Sequence, residues 1–147
     1  MIKRIALAAA IGALVLTLVP VAFAAKGGGG GPGKPGGGGT GTGGGTLSLV
    51  LLNSTDGLAH QGQHVTFTVA TTATTSPYVK LNCYQNGAWV YTASVGFFAS
   101  YPWPQQFTLA SGWWMSGAAD CTATLLYTNA SGTSETSLAS MSFHVSA

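Results

Sequence analysis

The sequence predicts an all-β domain, an antiparallel sandwich of about seven strands with turn signals roughly every eight to twelve residues. Three observations predict it. Short segments alternate apolar and polar residues, as in His64-Val65-Thr66-Phe67-Thr68-Val69, which is the period of a half-buried strand. Turn dipeptides, Asp56-Gly57 and Asn86-Gly87 among them, separate these segments. The chain has only two cysteines, Cys83 and Cys121, and each falls inside a predicted strand. No helical period of useful length interrupts this pattern.

The chain divides into three unlike parts. Residues 1–24 read as a signal peptide: Met1-Ile2-Lys3-Arg4 is a basic start, Ile5 to Val19 is apolar, Pro20 breaks the run, and Ala22-Phe23-Ala24 offers small residues for cleavage after Ala24. The apolar run is short for a bilayer core of about 30 Å, so no membrane span is expected after cleavage. Residues 25–46 are nearly all glycine. They bring almost no apolar side chains to repay the entropy of ordering, and read as a disordered Gly-rich linker. Residues 47–147 form the β domain.

Within that domain Leu47 to Leu52 is the first strand, followed by the Asn53–Gly57 turn. His64 to Ala70 is the second, with Val65, Phe67 and Val69 facing a core. Pro77 has no amide hydrogen and ends pairing. Tyr78 to Tyr84 is the third strand, with Val79, Leu81 and Cys83 on its inner face. Asn86-Gly87 tolerates positive φ and makes a two-residue hairpin turn into Ala88–Tyr91. Phe97 to Pro104 is aromatic and proline-broken, hence a loop or an irregular edge. Gln106 to Leu109 is a short strand, and Ser111 to Ala119, with Trp113-Trp114 between glycines, is a corner connection. Cys121, Ala123, Leu125 and Tyr127 share a face of the next strand. Asn129–Gly132 turns the chain into Leu138–Val145, with Met141, Phe143 and Val145 inward.

Export bears on the cysteines. Two thiols in an oxidising compartment are expected to pair, so Cys83 and Cys121 are predicted to form a disulfide. Closing a loop of about forty residues contributes roughly 4 kcal/mol on the chain-entropy estimate.

Gly62-Gln63-His64-Val65-Thr66-Phe67-Thr68-Val69 and Gly117-Ala118-Ala119-Asp120-Cys121-Thr122-Ala123 resemble strands of secreted bacterial immunoglobulin-like domains. The resemblance spans Leu47 to Val145 and implies an immunoglobulin-like sandwich that binds or spaces at cell surfaces. It also implies that the third and sixth strands are neighbours in one sheet, so the bridge would be cross-strand rather than between sheets. The third strand lacks an inward tryptophan, and Ala119 stands two before Cys121 where a tyrosine corner would need tyrosine. No functional residue carries over.

Composition narrows the function. Charged residues make up 5% of the chain, and after cleavage Lys26, Lys34 and Lys80 balance Asp56, Asp120 and Glu135. A surface this poor in cations cannot neutralise many phosphates, so nucleic acid is not an expected partner. The three carboxylates are not brought together by this strand order, so no catalytic pair is expected. His60 and His64 are four apart, but on a loop entering a strand that spacing does not converge on a metal. No metal, cofactor or catalytic residue is predicted.

The aromatics are the better lead. Tyr101, Trp103, Trp113 and Trp114 fall in predicted connections and are the candidate ligand-binding residues, able to stack on a sugar or a protein or else to plug the ends of a thin core. Trp113-Trp114 is expected to split, one ring in and one out. Asn53-Ser54-Thr55 and Asn129-Ala130-Ser131 match the N-glycosylation pattern but read as turns. The expected function is a non-enzymatic extracellular or cell-surface module that binds an unknown protein or glycan partner or takes part in assembly. A carbohydrate-binding module using these aromatics is the alternative, and a small hydrolase the third possibility. Strand edges poorly guarded by Lys or Pro add an expectation of edge-to-edge self-association.

Overall fold

The computed structural model describes residues 38–40 and 43–147. The predicted signal peptide and most of the Gly-rich segment lie outside them. The described residues are all-β. Nine strands follow in order: β1 (Gly38–Thr40), β2 (Gly45–Leu52), β3 (Ala59–His60), β4 (His64–Thr71), β5 (Tyr78–Gln85), β6 (Ala88–Gly96), β7 (Phe107–Thr108), β8 (Ala119–Thr128) and β9 (Glu135–Ser146). They form a four-stranded sheet, β1-β2-β4-β7, and a five-stranded sheet, β3-β9-β8-β5-β6. All pairings are antiparallel except β3 with β9.

The inner faces meet over one apolar core in a sandwich-like arrangement. Leu47, Val65 and Phe67 come from the first sheet. Leu81, Cys83, Cys121, Ala123, Leu125 and Met141 come from the second. Phe67 joins the layers, its ring 5.6 Å from Phe107 and 6.4 Å from Phe143. This is the outcome of the period-two alternation: Val79, Leu81 and Cys83 are fully buried, while Lys80 and Asn82 between them are half-exposed.

The disulfide joins Cys83 and Cys121. The two residues are directly opposite in the β5–β8 pair, so the bridge is a cross-strand one within the five-stranded sheet. The 38-residue separation corresponds to about 4 kcal/mol of removed unfolded-state entropy.

The structure corrects the strand list in five places. β3, only two residues long, and β1 were not expected. β6 continues through Thr92 to Gly96 rather than ending at Tyr91, because Thr92-Ala93-Ser94-Val95 keeps pairing with β5. β9 starts at Glu135 rather than Leu138. A register shift between Leu125 and Leu126 changes the phase of β8, so Leu126 is buried and Tyr127 only half-buried.

The fifth correction concerns the glycine segment, read as linker through residue 46. Its last glycines belong to the fold. Gly38–Thr40 pairs with β2, and Gly45 is buried at the start of that strand. A Cβ on Gly43 would stand 2.7 Å from the Ser137 carbonyl oxygen and 2.8 Å from the Leu138 Cα, and one on Gly45 would stand 2.7 Å from Leu125 Cδ2. Here glycine permits close approach, of main chain at Gly43 and of side chains at Gly45, not flexibility.

Candidate functional site: an aromatic end at the β5–β6 hairpin

Asn86 and Gly87 both have positive φ, 50° and 81°, which suits the tight turn linking right-twisted strands. The turn pairs Gln85 with Ala88 and Tyr84 with Trp89. Tyr84 and Trp89 therefore stand side by side on the outer face of the five-stranded sheet, 43% and 48% exposed. One residue further along, β6 bulges. Val90 has no partner opposite it, Tyr91 pairs with Cys83, and both Val90 and Tyr91 turn inward.

The 111–118 loop is fastened beside this hairpin. Ser111 Oγ donates to the Val90 carbonyl and accepts from the Trp113 and Trp114 amides, each at 3.1 Å. Gln61 Nε2 donates to the Trp114 carbonyl at 3.1 Å, and Gln85 Nε2 donates to the Met115 carbonyl at 3.0 Å. Trp114 turns in. It is 4% exposed, its ring centre lies 6.2 Å from that of Tyr91, and its Nε1–H donates to the Gly117 carbonyl. Trp113 and Met115 turn out, 73% and 74% exposed. The two tryptophans split as expected, and Trp114, offered as a ligand-binding candidate, belongs to the core instead: it has no ring face to present.

Tyr101 and Trp103 stand elsewhere. Tyr101 packs edge-on against Tyr78 and Phe98, and Trp103 lies 5.6 Å from Tyr101. Tyr78 begins β5 and Gln85 ends it, so these residues are separated from the Trp113 loop by the length of β5, about 23 Å at strand rise. The four candidates do not form one platform. Trp103 is exposed at 67% on its own, with Tyr101 half-buried beneath it. A groove of 320 Å³ opens at the same end, lined by Thr71, Thr75, Pro77, Phe97 and Phe98 among others.

The few charged side chains of the β domain lie apart from one another. Asp120, opposite Tyr84 on β8, accepts at 2.8 Å from His144 Nδ1 on β9 when that nitrogen carries the proton. Lys80 Nζ bonds Glu135 at 3.0 Å. Asp56 and His60 form the third pair, Oδ2 to Nε2, at 2.8 Å. Leu58 N–H and the His60 ring together hold the Asp56 carboxyl down at about 2, and Asp56, then the Ala147 carbonyl, push His60 above its ordinary value. The three side-chain carboxylates of residues 47–147 are thus each engaged by a different partner at a different place. Among the described residues no three His, Cys, Asp or Glu side chains gather into a metal-binding group.

Tyr84 and Trp89 were not singled out by the sequence. The signal existed: Tyr84 alternates outward from Cys83, and a two-residue turn at Asn86-Gly87 sets Trp89 directly opposite. Comparison of the chain with known protein families, with curated proteins and with solved structures finds no match.

Proposed function

We propose that this chain is a secreted, non-enzymatic module of the immunoglobulin-like type that binds an uncharged partner outside the cell through its β5–β6 end. The observation that carries the reading is the pairing of exposure with fixed backbone at Trp113 and Met115. Large apolar side chains are turned to water on a loop held by Ser111, Gln61 and Gln85. A loop whose backbone is already fixed loses less entropy on contact, which is the economy of a preformed binding surface. Trp89 and Tyr84 extend that surface onto the sheet. The scarcity of charge, with Lys80 set against Asp56, Asp120 and Glu135 over residues 47–147, favours a neutral partner, and the disulfide suits an oxidising location.

The test is retention of the purified protein on surface material of its own cells. Trp113→Ala and Trp89→Ala are expected to abolish retention at unchanged melting temperature, while Trp103→Ala retains it. Retention insensitive to both of the first two changes would sink the reading.

One observation favours a carbohydrate as the partner. The row Trp89–Tyr84–Asp120–His144 runs across the outer face of the sheet, and the next outward row is Thr92–Asn82–Thr122–Ser142. Ring faces beside hydroxyl, amide and carboxylate groups match the apolar C–H faces and hydroxyls of a sugar chain. This form of the carbohydrate reading rests on Trp89 and Tyr84, not on Trp103 combined with Trp113. Binding to a neutral glycan on an array, lost in Trp89→Ala, would support it. Retention on cells without any glycan binding would leave a protein partner.

A further inference from the structure

We propose that β6 is a self-docking edge: two copies of this chain pair their β6 strands antiparallel about a twofold axis at Ala93, with Thr92 of each opposite Ser94 of the other.

The five-stranded sheet ends at β6, and among the described residues no strand pairs with its outer side. The opposite end of the sheet is occupied differently. β3 pairs with the last residues of β9, and the Gly43 main chain lies against Ser137 and Leu138. Beyond the Val90 bulge β6 lacks the chemical guards of an edge: Ala88-Trp89-Val90-Tyr91-Thr92-Ala93-Ser94-Val95-Gly96 contains no charge and no proline.

The disulfide decides which main-chain groups are free. Cys83 and Cys121 are 4.0 Å apart at Cα, the close spacing of a pair that does not exchange hydrogen bonds. The N–H and C=O of Cys83 therefore point away from β8, toward β6. Alternation gives Leu81 and Val79 the same direction. Their partners Tyr91, Ala93 and Val95 return those bonds. Thr92 and Ser94, lying between, turn their N–H and C=O groups outward. Nearer the hairpin the edge is already engaged, because the Val90 carbonyl accepts from Ser111 Oγ. What is left is a short, uncharged segment with one donor and one acceptor on each of two alternate residues.

That segment is complementary to itself. Setting Thr92 opposite Ser94 of a second copy lets each pair exchange two main-chain bonds. The twofold axis repeats the exchange, and Ala93 at the centre is small. Thr92 and Ser94 are both exposed on the outer face, so nothing apolar need be uncovered to pair. With no charge on the strand, nothing repels an identical edge. The two Trp89–Tyr84 rows would then face the same side of one continuous sheet, and two sites of modest affinity would act together on a repeating surface. The pairing does not depend on what the aromatic end binds.

The test is sedimentation of the full exported chain, disulfide intact, over a range of concentrations. The wild type is expected to show a reversible monomer–dimer equilibrium. Ser94→Pro removes an outward amide without touching the β5–β6 ladder, and is expected to be monomeric with its circular dichroism spectrum retained. Two charged variants test the register. In Thr92→Glu/Ser94→Glu, like charges face each other across the axis, and dimerisation should weaken roughly tenfold or more. In Thr92→Lys/Ser94→Glu, opposite charges face each other and the dimer should persist. A wild type that stays monomeric throughout would overturn the proposal. So would a Glu/Glu variant that dimerises like the wild type, or loss of the dimer in both charged variants alike.

Discussion

Gln85 holds Met115. Its side-chain amide donates to the Met115 carbonyl at 3.0 Å and to the Ala118 carbonyl at 3.2 Å, tying the end of β5 to the tryptophan loop. Two hydrogen bonds of this kind contribute about 0.5–1.5 kcal/mol each. Gln85→Ala should therefore lower the melting temperature by several degrees. It should also free the loop, seen as faster amide exchange at Trp113 to Ala118 than elsewhere in the domain. Exchange unchanged in that loop would show that Gln61 and Ser111 suffice to hold it.

Trp113 and Trp114, adjacent in sequence, should behave oppositely. Trp114 is buried against Tyr91 and its indole N–H is satisfied. Trp114→Ala leaves a cavity and should cost about 3–5 kcal/mol. Trp113 is mostly in water, and its replacement by Ala should change stability by no more than about 0.5 kcal/mol. Chemical denaturation of the two variants checks this, and equal effects would contradict the split.

Gly43 should be as sensitive as a core position. A methyl group there meets the main chain of Ser137 and Leu138, which cannot swing aside as a side chain can. Gly43→Ala should destabilise by about 1–3 kcal/mol, as overpacking does. Gly112, with nothing within 4 Å of an added Cβ, is the control, and Gly112→Ala should be close to neutral.

The Asp56–His60 pair predicts a pH window. An acid lowered on folding contributes stability above its ordinary value and loses it as pH falls toward the folded value. For Asp56 that means a contribution present above 3.8 and lost toward about 2. A base raised on folding contributes below its ordinary value and loses it as pH climbs through the higher folded one. For His60 the contribution is present below 6.5 and lost above it. Both are in force between those two values. Proton NMR titration of the His60 ring should give a midpoint above 6.5, returning toward it in Asp56→Asn. A wild-type midpoint at or below the ordinary value would contradict the pair.

Much of the core could be read from the chain, because burial there follows the alternation residue by residue. Val65, Phe67, Val79, Leu81, Cys83 and Met141 lie where the period put them. The disulfide partners were also legible, and their placement on neighbouring strands of one sheet was what the resemblance to immunoglobulin-like domains implied. What was hidden depends on contacts between distant segments. Gly43 and Gly45 look like their glycine neighbours until Leu138 and Leu125 are packed against them. Thr92 to Gly96 is too weakly apolar to read as strand without β5 beside it. Of the candidate residues, Trp113-Trp114 was read as one ring in and one out without saying which, and the structure exposes Trp113 and buries Trp114. Tyr101 and Trp103 fell at the other end of β5, since loop aromatics carry no period to say where their ends lie. Tyr84 and Trp89 were overlooked because a residue placed in a strand is read first for its inward neighbours.

Cys83 sits next to Tyr84, and its bond to Cys121 enters β8 at that point. A partner tugging on Tyr84 or Trp89 pulls first on the hairpin. From Cys83 onward the tension passes through sulfur rather than through a zipper of amides. On its β5 arm the hairpin can be peeled no further than that rivet, so the aromatic end should keep its shape under flow or drag that would strip an unbridged strand.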